Sequence, residues 1–139
     1  MDHGVRPPGE DRVPDDWFGN WTVQMRKGVL DMCILRALSL REWYGYELVK
    51  TLVAAPGVGV AEGSIYPLLA RLRRQGLVTT RLEESSEGPA RKYYQATPAG
   101  RALAEEMAHY FGEMQRGVAA IAREAAAGCR QDSNRGINS

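Results

Sequence analysis

Apolar residues in this chain fall into blocks whose spacing changes along its length. Between Val29 and Leu40 the only polar residues are Asp31, Arg36 and Ser39. At about 100° per residue they share one stripe roughly 140° wide. Val23–Leu40 therefore reads as a helix apolar around most of its circumference, covered on one side by its own core and on the other by a second copy of the chain. A second helix is predicted over Tyr46–Ala54, with Tyr46, Val49, Leu52 and Val53 at helical spacing and Pro56-Gly57-Val58-Gly59 ending it. A third runs from about Glu62 to Gln75. Its Ile65, Leu68, Leu69 and Leu72 stand at i, i+3, i+4 and i+7 and mark the buried face. Pro67 is read near the first turn, where a missing N–H costs least, and Gly76 stops the helix.

The period then shortens to two. Leu77–Glu83 reads as a strand, Glu84–Pro89 as a turn and Arg91–Ala96 as a second strand, together a β-hairpin. Thr97-Pro98 is a helix start, with Thr as N-cap and Pro at the first helical position. The fourth helix is predicted to reach about Ala127. Its Leu103, Met107, Tyr110, Met114, Val118 and Ile121 are spaced 4, 3, 4, 4 and 3 apart, close to a heptad seam that asks for a partner helix. Gly112 and Gly117 inside it cost about 1 kcal/mol each, so packing rather than propensity must hold it. Gly128 is expected to end it.

The organisation that follows has four parts. Residues 1–22 form a flexible arm carrying the aromatic cluster Trp17, Phe18 and Trp21; 23–96 a winged helix-turn-helix domain; 97–127 a dimerisation helix; 128–139 a disordered polar tail. The fold class is mainly α with a small β-hairpin. Val29 and Cys33 of the first helix are expected to join the fourth-helix seam in the dimer. The aromatic cluster reads first as packing against the body or the partner, and second as a wall of a ligand pocket that Trp17, Trp21 and Tyr110 would line.

Composition narrows the class. The chain has 139 residues, 44% hydrophobic and 25% charged, enough for one domain with a modest core. No apolar run reaches the roughly 18 residues of a membrane span, and Met1–Asp16 is too polar for a signal peptide, so the expected location is cytoplasmic. Cys33 and Cys129 do not form a disulfide framework. Net charge is only +1, but the first 22 residues carry −3 while residues 62–101 carry +3. The basic excess thus coincides with the third helix and the hairpin.

Two short helices joined tightly and followed by a two-stranded wing make a winged helix-turn-helix. A major groove about 12 Å wide admits one helix. Opposite the leucines of the third helix stand Tyr66, Pro67, Ala70, Arg71, Arg73 and Arg74. Ser64 and Tyr66 sit in the first turn, and Arg71, Arg73 and Arg74 are placed to grip phosphate or guanine edges, Arg71 best of the three. On the wing, Arg81, Arg91 and Lys92 are candidates for the minor groove or the backbone, with Tyr44 as a further DNA-binding candidate before the second helix. The bland reading of the arginines is a solvated helix face, and of the wing cations cross-strand pairing with Glu83, Glu84 or Glu87.

Three stretches carry a resemblance: Tyr44-Gly45-Tyr46-Glu47-Leu48; Gly63 to Leu72 with Gly76-Leu77-Val78; and Gly88 to Gly100. In this order and spacing the stretch from Met25 to about Arg101 resembles the PadR family of transcriptional regulators, in the shorter subfamily with one helix after the wing. The resemblance implies a homodimeric repressor on palindromic double-stranded operator DNA, dimerised by its C-terminal helix and often by the first. It also implies release by a small-molecule effector, here expected to be aromatic or hydrophobic. The chain departs from the pattern at Arg73, where an acidic residue is frequent, in its longer arm before Gln24, and in lacking a tryptophan on the fourth helix.

Two rival classes are weighed against this. An enzyme would need a reactive cluster, but the histidines are only His3, in the arm, and His109, on the fourth helix, and no metal-ligand spacing or phosphate loop is present. No cofactor or metal is therefore expected. A winged helix that binds only protein shares the fold, since fold does not fix function, and differs in leaving Arg71 and Arg91 without a role on DNA.

Overall fold

The computed structural model describes residues 16–138. In chain order the elements are α1 (Trp17–Leu40), β1 (Trp43–Tyr44), α2 (Gly45–Ala54), α3 (Glu62–Arg74), β2 (Val78–Ser85), β3 (Gly88–Ala96) and α4 (Pro98–Asn138). The periodic apolar positions form one core. Ile34, Leu35 and Leu38 of α1 meet Leu48, Val49 and Leu52 of α2, Ile65, Leu68, Leu69 and Leu72 of α3, and Ala104 of α4. Val78, Tyr94 and Ala96 close it from the sheet. Burying a leucine or isoleucine side chain fully is worth roughly 1.5–3 kcal/mol, so this cluster sets the pose of α3.

The sheet has three strands, not the two expected. Its order is β1-β3-β2, all antiparallel. Strand β1 is only two residues long, too short for a period to show. It is fixed by pairing Trp43 with Tyr94 and Tyr44 with Tyr93, and by the Trp43 indole donating to the Ala37 carbonyl at 2.9 Å. The hairpin turn is tighter than predicted, because pairing continues to Ser85 and Gly88. Arg91 and Lys92 therefore lie opposite Glu83 and Leu82 on the shaft of the wing, not at its tip.

Both long helices outrun their predicted bounds. Trp17 to Thr22 is the first stretch of α1 rather than part of an arm. Asp16 precedes it in the left-handed region (φ 67°), so although its residue type suits a helix start, the usual side-chain capping bond is missing. The rest of the predicted arm, with His3, lies outside the described residues. At the other end α4 passes through Gly128 and continues to Asn138, which removes the predicted tail from 128. A single interior glycine costs about 1 kcal/mol, too little to stop a helix that runs into it through three alanines.

Two joints orient α3 and α4. Gly76, at φ 78°, terminates α3. The Thr97 hydroxyl donates to the Gly76 carbonyl at 2.7 Å and accepts from the Gly100 N–H at 3.0 Å, capping α4 onto the end of α3. A Cβ at Gly100 would collide with the Leu77 carbonyl, so glycine permits the approach.

Candidate nucleic-acid interface

Helix α3 presents its outer face because its inner face is leucine. At 100° per residue, Gly63, Pro67, Ala70 and Arg74 lie opposite the buried row. All four are exposed. Pro67 is the sixth residue of α3 rather than a first-turn residue. It cannot donate to the Gly63 carbonyl, and this omission falls on the solvent side, where water satisfies the oxygen. Three of the four outward residues are small or ring-closed, which lets the backbone approach a partner closely.

The two flanks of α3 differ. On one, Tyr66 and Arg73 turn toward β3, and with Ala70, Arg74, Lys92 and Tyr94 they enclose a groove of about 540 Å³. No carboxylate lines it, and among the described residues Arg73, Arg74 and Lys92 make no ion pair. Burial pushes the Tyr94 phenol up, Tyr66 adds to this and Arg73 opposes it. Burial likewise raises Tyr66, helped by Tyr44 and Glu62, so both hydroxyls stay protonated as donors. On the other flank, Ser64 and Arg71 turn toward α1. There Arg71 donates to Asp31 at 3.3 Å. Arg71, the first choice of the three arginines from sequence, is therefore the one held by a carboxylate.

The wing sorts its cations by strand alternation, since neighbouring residues point to opposite faces. Lys92 shares the face of Tyr94 and looks toward α3. Arg91 shares the face of Tyr93 and sits 5.0 Å above the Tyr44 ring. Arg81, also on that face, is committed elsewhere: it donates to both Glu42 oxygens at 2.6 and 2.8 Å and to Glu83 at 2.8 Å, stacked over Tyr93 at 4.6 Å. The hydrogen bond from Arg81 lowers the Glu42 pKa, and the two carboxylates raise that of Arg81. Arg81, a candidate for DNA contact from sequence, is thus already engaged by carboxylates. Carboxylates on β2 and before β1 take it.

A family model described as the transcriptional regulator PadR-like family matches residues 34–106. The chain belongs to the PadR-like family of transcriptional regulators. A transcriptional regulator of Mycobacterium tuberculosis is 33% identical over 95 residues, which cover 68% of this chain and 87% of that protein. Among solved structures, a PadR-like transcriptional regulator from Bacillus cereus is 44% identical, with a TM-score of 0.63, covering 70% of this chain and 95% of that one. A PadR family transcriptional regulator from Eggerthella lenta is 31% identical, with a TM-score of 0.66, covering 77% and 93%. The fold is the winged helix of these regulators. PadR family members are DNA-binding transcriptional regulators rather than enzymes.

Within this PadR-like chain the predicted dimer residues separate into two sets. Cys33, Leu103 and Met107 are half-buried and pack partly against the chain's own core. Val29 is half-buried on α1. Tyr110, Met114, Val118 and Ile121 share one exposed stripe of α4, with Tyr110, Val118 and Ile121 exposed by 63%, 67% and 72%. Trp17, Phe18 and Trp21 are exposed on α1, and Phe18 stacks on Trp21 at 5.9 Å. Trp17, Trp21 and Tyr110 line neither the α3–β3 groove nor the one on the other side of β3. Burial raises the Cys33 thiol, which disfavours a reactive thiolate. His109 pairs with Glu113 at 3.4 Å on the surface of α4. No helix among the described residues is long and apolar enough to cross a membrane, and no His, Cys, Asp and Glu group there is placed to hold a metal ion.

Proposed function

We propose that this PadR-like regulator is a homodimeric repressor that sets α3 of each copy in the major groove of a palindromic operator. The observation that carries the reading is the groove between α3 and β3, where Arg73, Arg74 and Lys92 converge with no carboxylate among its lining residues. Phosphate contacts supply most of the affinity of such an interface, and base contacts supply its specificity. In this reading Arg73, Arg74 and Lys92 hold backbone, while Ser64, Tyr66 and Pro67 lie nearest base edges at the start of α3. Tyr44 and Arg91 contact the duplex from the other face of β3. Arg71 joins them only by leaving Asp31.

The exposed stripe of α4 and the aromatic start of α1 supply the apolar surface for a second copy, since contiguous apolar patches of this kind mark association sites. Half-sites would then lie about one helical turn apart. A small aromatic or hydrophobic effector entering between the copies near Trp17, Trp21 and Tyr110 would release the operator, and the protein would act in the cytoplasm. The test is the salt dependence of duplex binding. Arg74→Ala with Lys92→Ala should weaken binding and reduce the magnitude of the log–log salt slope by about 0.9 for each phosphate that is no longer neutralised. Unchanged affinity and slope would overturn the DNA assignment of this groove. Light scattering showing a monomer at micromolar concentration would overturn the dimer.

A further inference from the structure

A second cationic groove lies on the other side of β3. It also measures about 540 Å³ and is lined by Arg41, Trp43, Tyr44, Tyr46, Lys50 and Arg91, with Glu47 as its one carboxylate and Thr51 at its edge. Neither Arg41 nor Lys50 belongs to a motif that would mark it from sequence. Each of the three cations rests on an aromatic ring. Arg41 lies 3.5 Å from the Trp43 centroid, Lys50 5.3 Å from Tyr46 and Arg91 5.0 Å from Tyr44. Among the described residues none of the three is in an ion pair.

This arrangement has a chemical consequence. A guanidinium stacked face-on keeps its N–H donors in the plane, pointing outward. Arg41 uses one of them on the Glu42 carbonyl at 2.9 Å and keeps the rest. Ring stacking also restricts these long side chains beforehand, so less rotamer freedom is lost when an anion arrives. The surface thus offers three cations outside ion pairs to oxygen anions.

The groove also continues the first one. Arg91 and Lys92 are consecutive residues of β3, one facing each groove, and Tyr44 packs on Tyr93 at 5.7 Å between them. We infer that Arg41 and Lys50 form, with Arg91, a second phosphate-contact line that holds the duplex backbone beyond the segment covered by α3 and the wing. Charge complementarity and continuity across β3 select the sugar–phosphate backbone of the same duplex as occupant. The inference rests on the DNA reading above and extends its footprint to α2 and the end of α1.

The experiment uses the full chain and a labelled mixed-sequence duplex of about 40 base pairs, because backbone contacts are independent of sequence. Arg41→Gln with Lys50→Gln should reduce the magnitude of the log–log salt slope by about 2 per bound protomer, while Arg116→Gln on α4 leaves it unchanged. Shortening the duplex a few base pairs at a time should bring the native chain down to the level of the double variant at one length. If the double variant destabilises the fold in a thermal melt, Lys50→Gln alone should lower the slope by about 1 per bound protomer. A native slope in these variants, alongside a reduced slope in Arg74→Ala with Lys92→Ala, overturns this inference and leaves the DNA reading standing. Native slopes in both sets overturn both.

Discussion

The two sides of strand β3 hold the same kinds of side chain and do different things with them. Toward α3, Arg73, Arg74 and Lys92 surround a groove without a carboxylate. On the opposite side Arg41, Lys50 and Arg91 are likewise outside ion pairs among the described residues, but Arg81 is enclosed by Glu42 and Glu83 within 2.8 Å. All these cations sit on or beside an exposed surface. The difference lies in where the acids are. An arginine whose N–H donors are already used by carboxylates must exchange them for phosphate at no net gain, whereas an unpaired one exchanges water. Counting basic residues on the wing therefore overstates its share of the interface. The count has to be made after the ion pairs are removed. The third helix repeats the lesson within itself, since Arg71 is held by Asp31 while Arg74 is not.

The strongest way to break this contrast is to remove the floor that positions one side of it. Leu69 is fully buried, and it also lines the α3–β3 groove. Leu69→Ala should cost about 2–5 kcal/mol in chemical denaturation, through reduced burial plus the cavity left behind. A cost below about 1 kcal/mol would mean that the groove does not rest on this core.

A sharper and smaller test exchanges the two sides directly. Arg81→Ala should lower the melting temperature, because Glu42 and Glu83 lose their shared partner, while leaving the salt slope of duplex binding at its native value. A slope reduced as much as in Arg74→Ala with Lys92→Ala would show that Arg81 reaches DNA despite its carboxylates.

The Arg81 side should also respond to acid in a definite direction. Arg81 holds the Glu42 pKa below its ordinary value of 4.5, so the contact stabilises the fold above that value and fades as pH falls through the lowered one. The melting-temperature gap between the native chain and Glu42→Gln should accordingly close as pH falls from about the ordinary value of 4.5 through the lowered one. A gap that stays constant over that range would remove the ion pair from the account.

The smallest effect is expected at Asp31. Burial raises its pKa more than Arg71 lowers it, so its ionised form is a net burden on the fold above its ordinary value of 3.8. Asp31→Asn should leave the melting temperature at neutral pH unchanged or slightly higher. It should also free Arg71, steepening the salt slope by up to about 1 per bound protomer. A clear fall in the melting temperature would instead make the Asp31–Arg71 pair structural.

Much of this was open to reading along the chain. The leucine row of α3 gave its buried face, Thr97-Pro98 gave the start of α4, and the three motif stretches gave the family, because each is a local pattern that backbone geometry and capping chemistry dictate within a few residues. Other features were closed to such reading. Asp16 heads its helix in the left-handed region without the side-chain capping bond its residue type suggests, a two-residue strand has no period, and Arg41 and Lys50 carry no motif at all.

What the amino-acid order settled alone was the set of elements and which side of each is oily. What only the assembled fold decided was which charges remain available. Asp31 and Arg71 are 40 residues apart, and Glu42 and Arg81 are 39. Periodicity acts over one or two turns, while an ion pair needs a few ångströms between elements whose approach is fixed by the packing of the whole core.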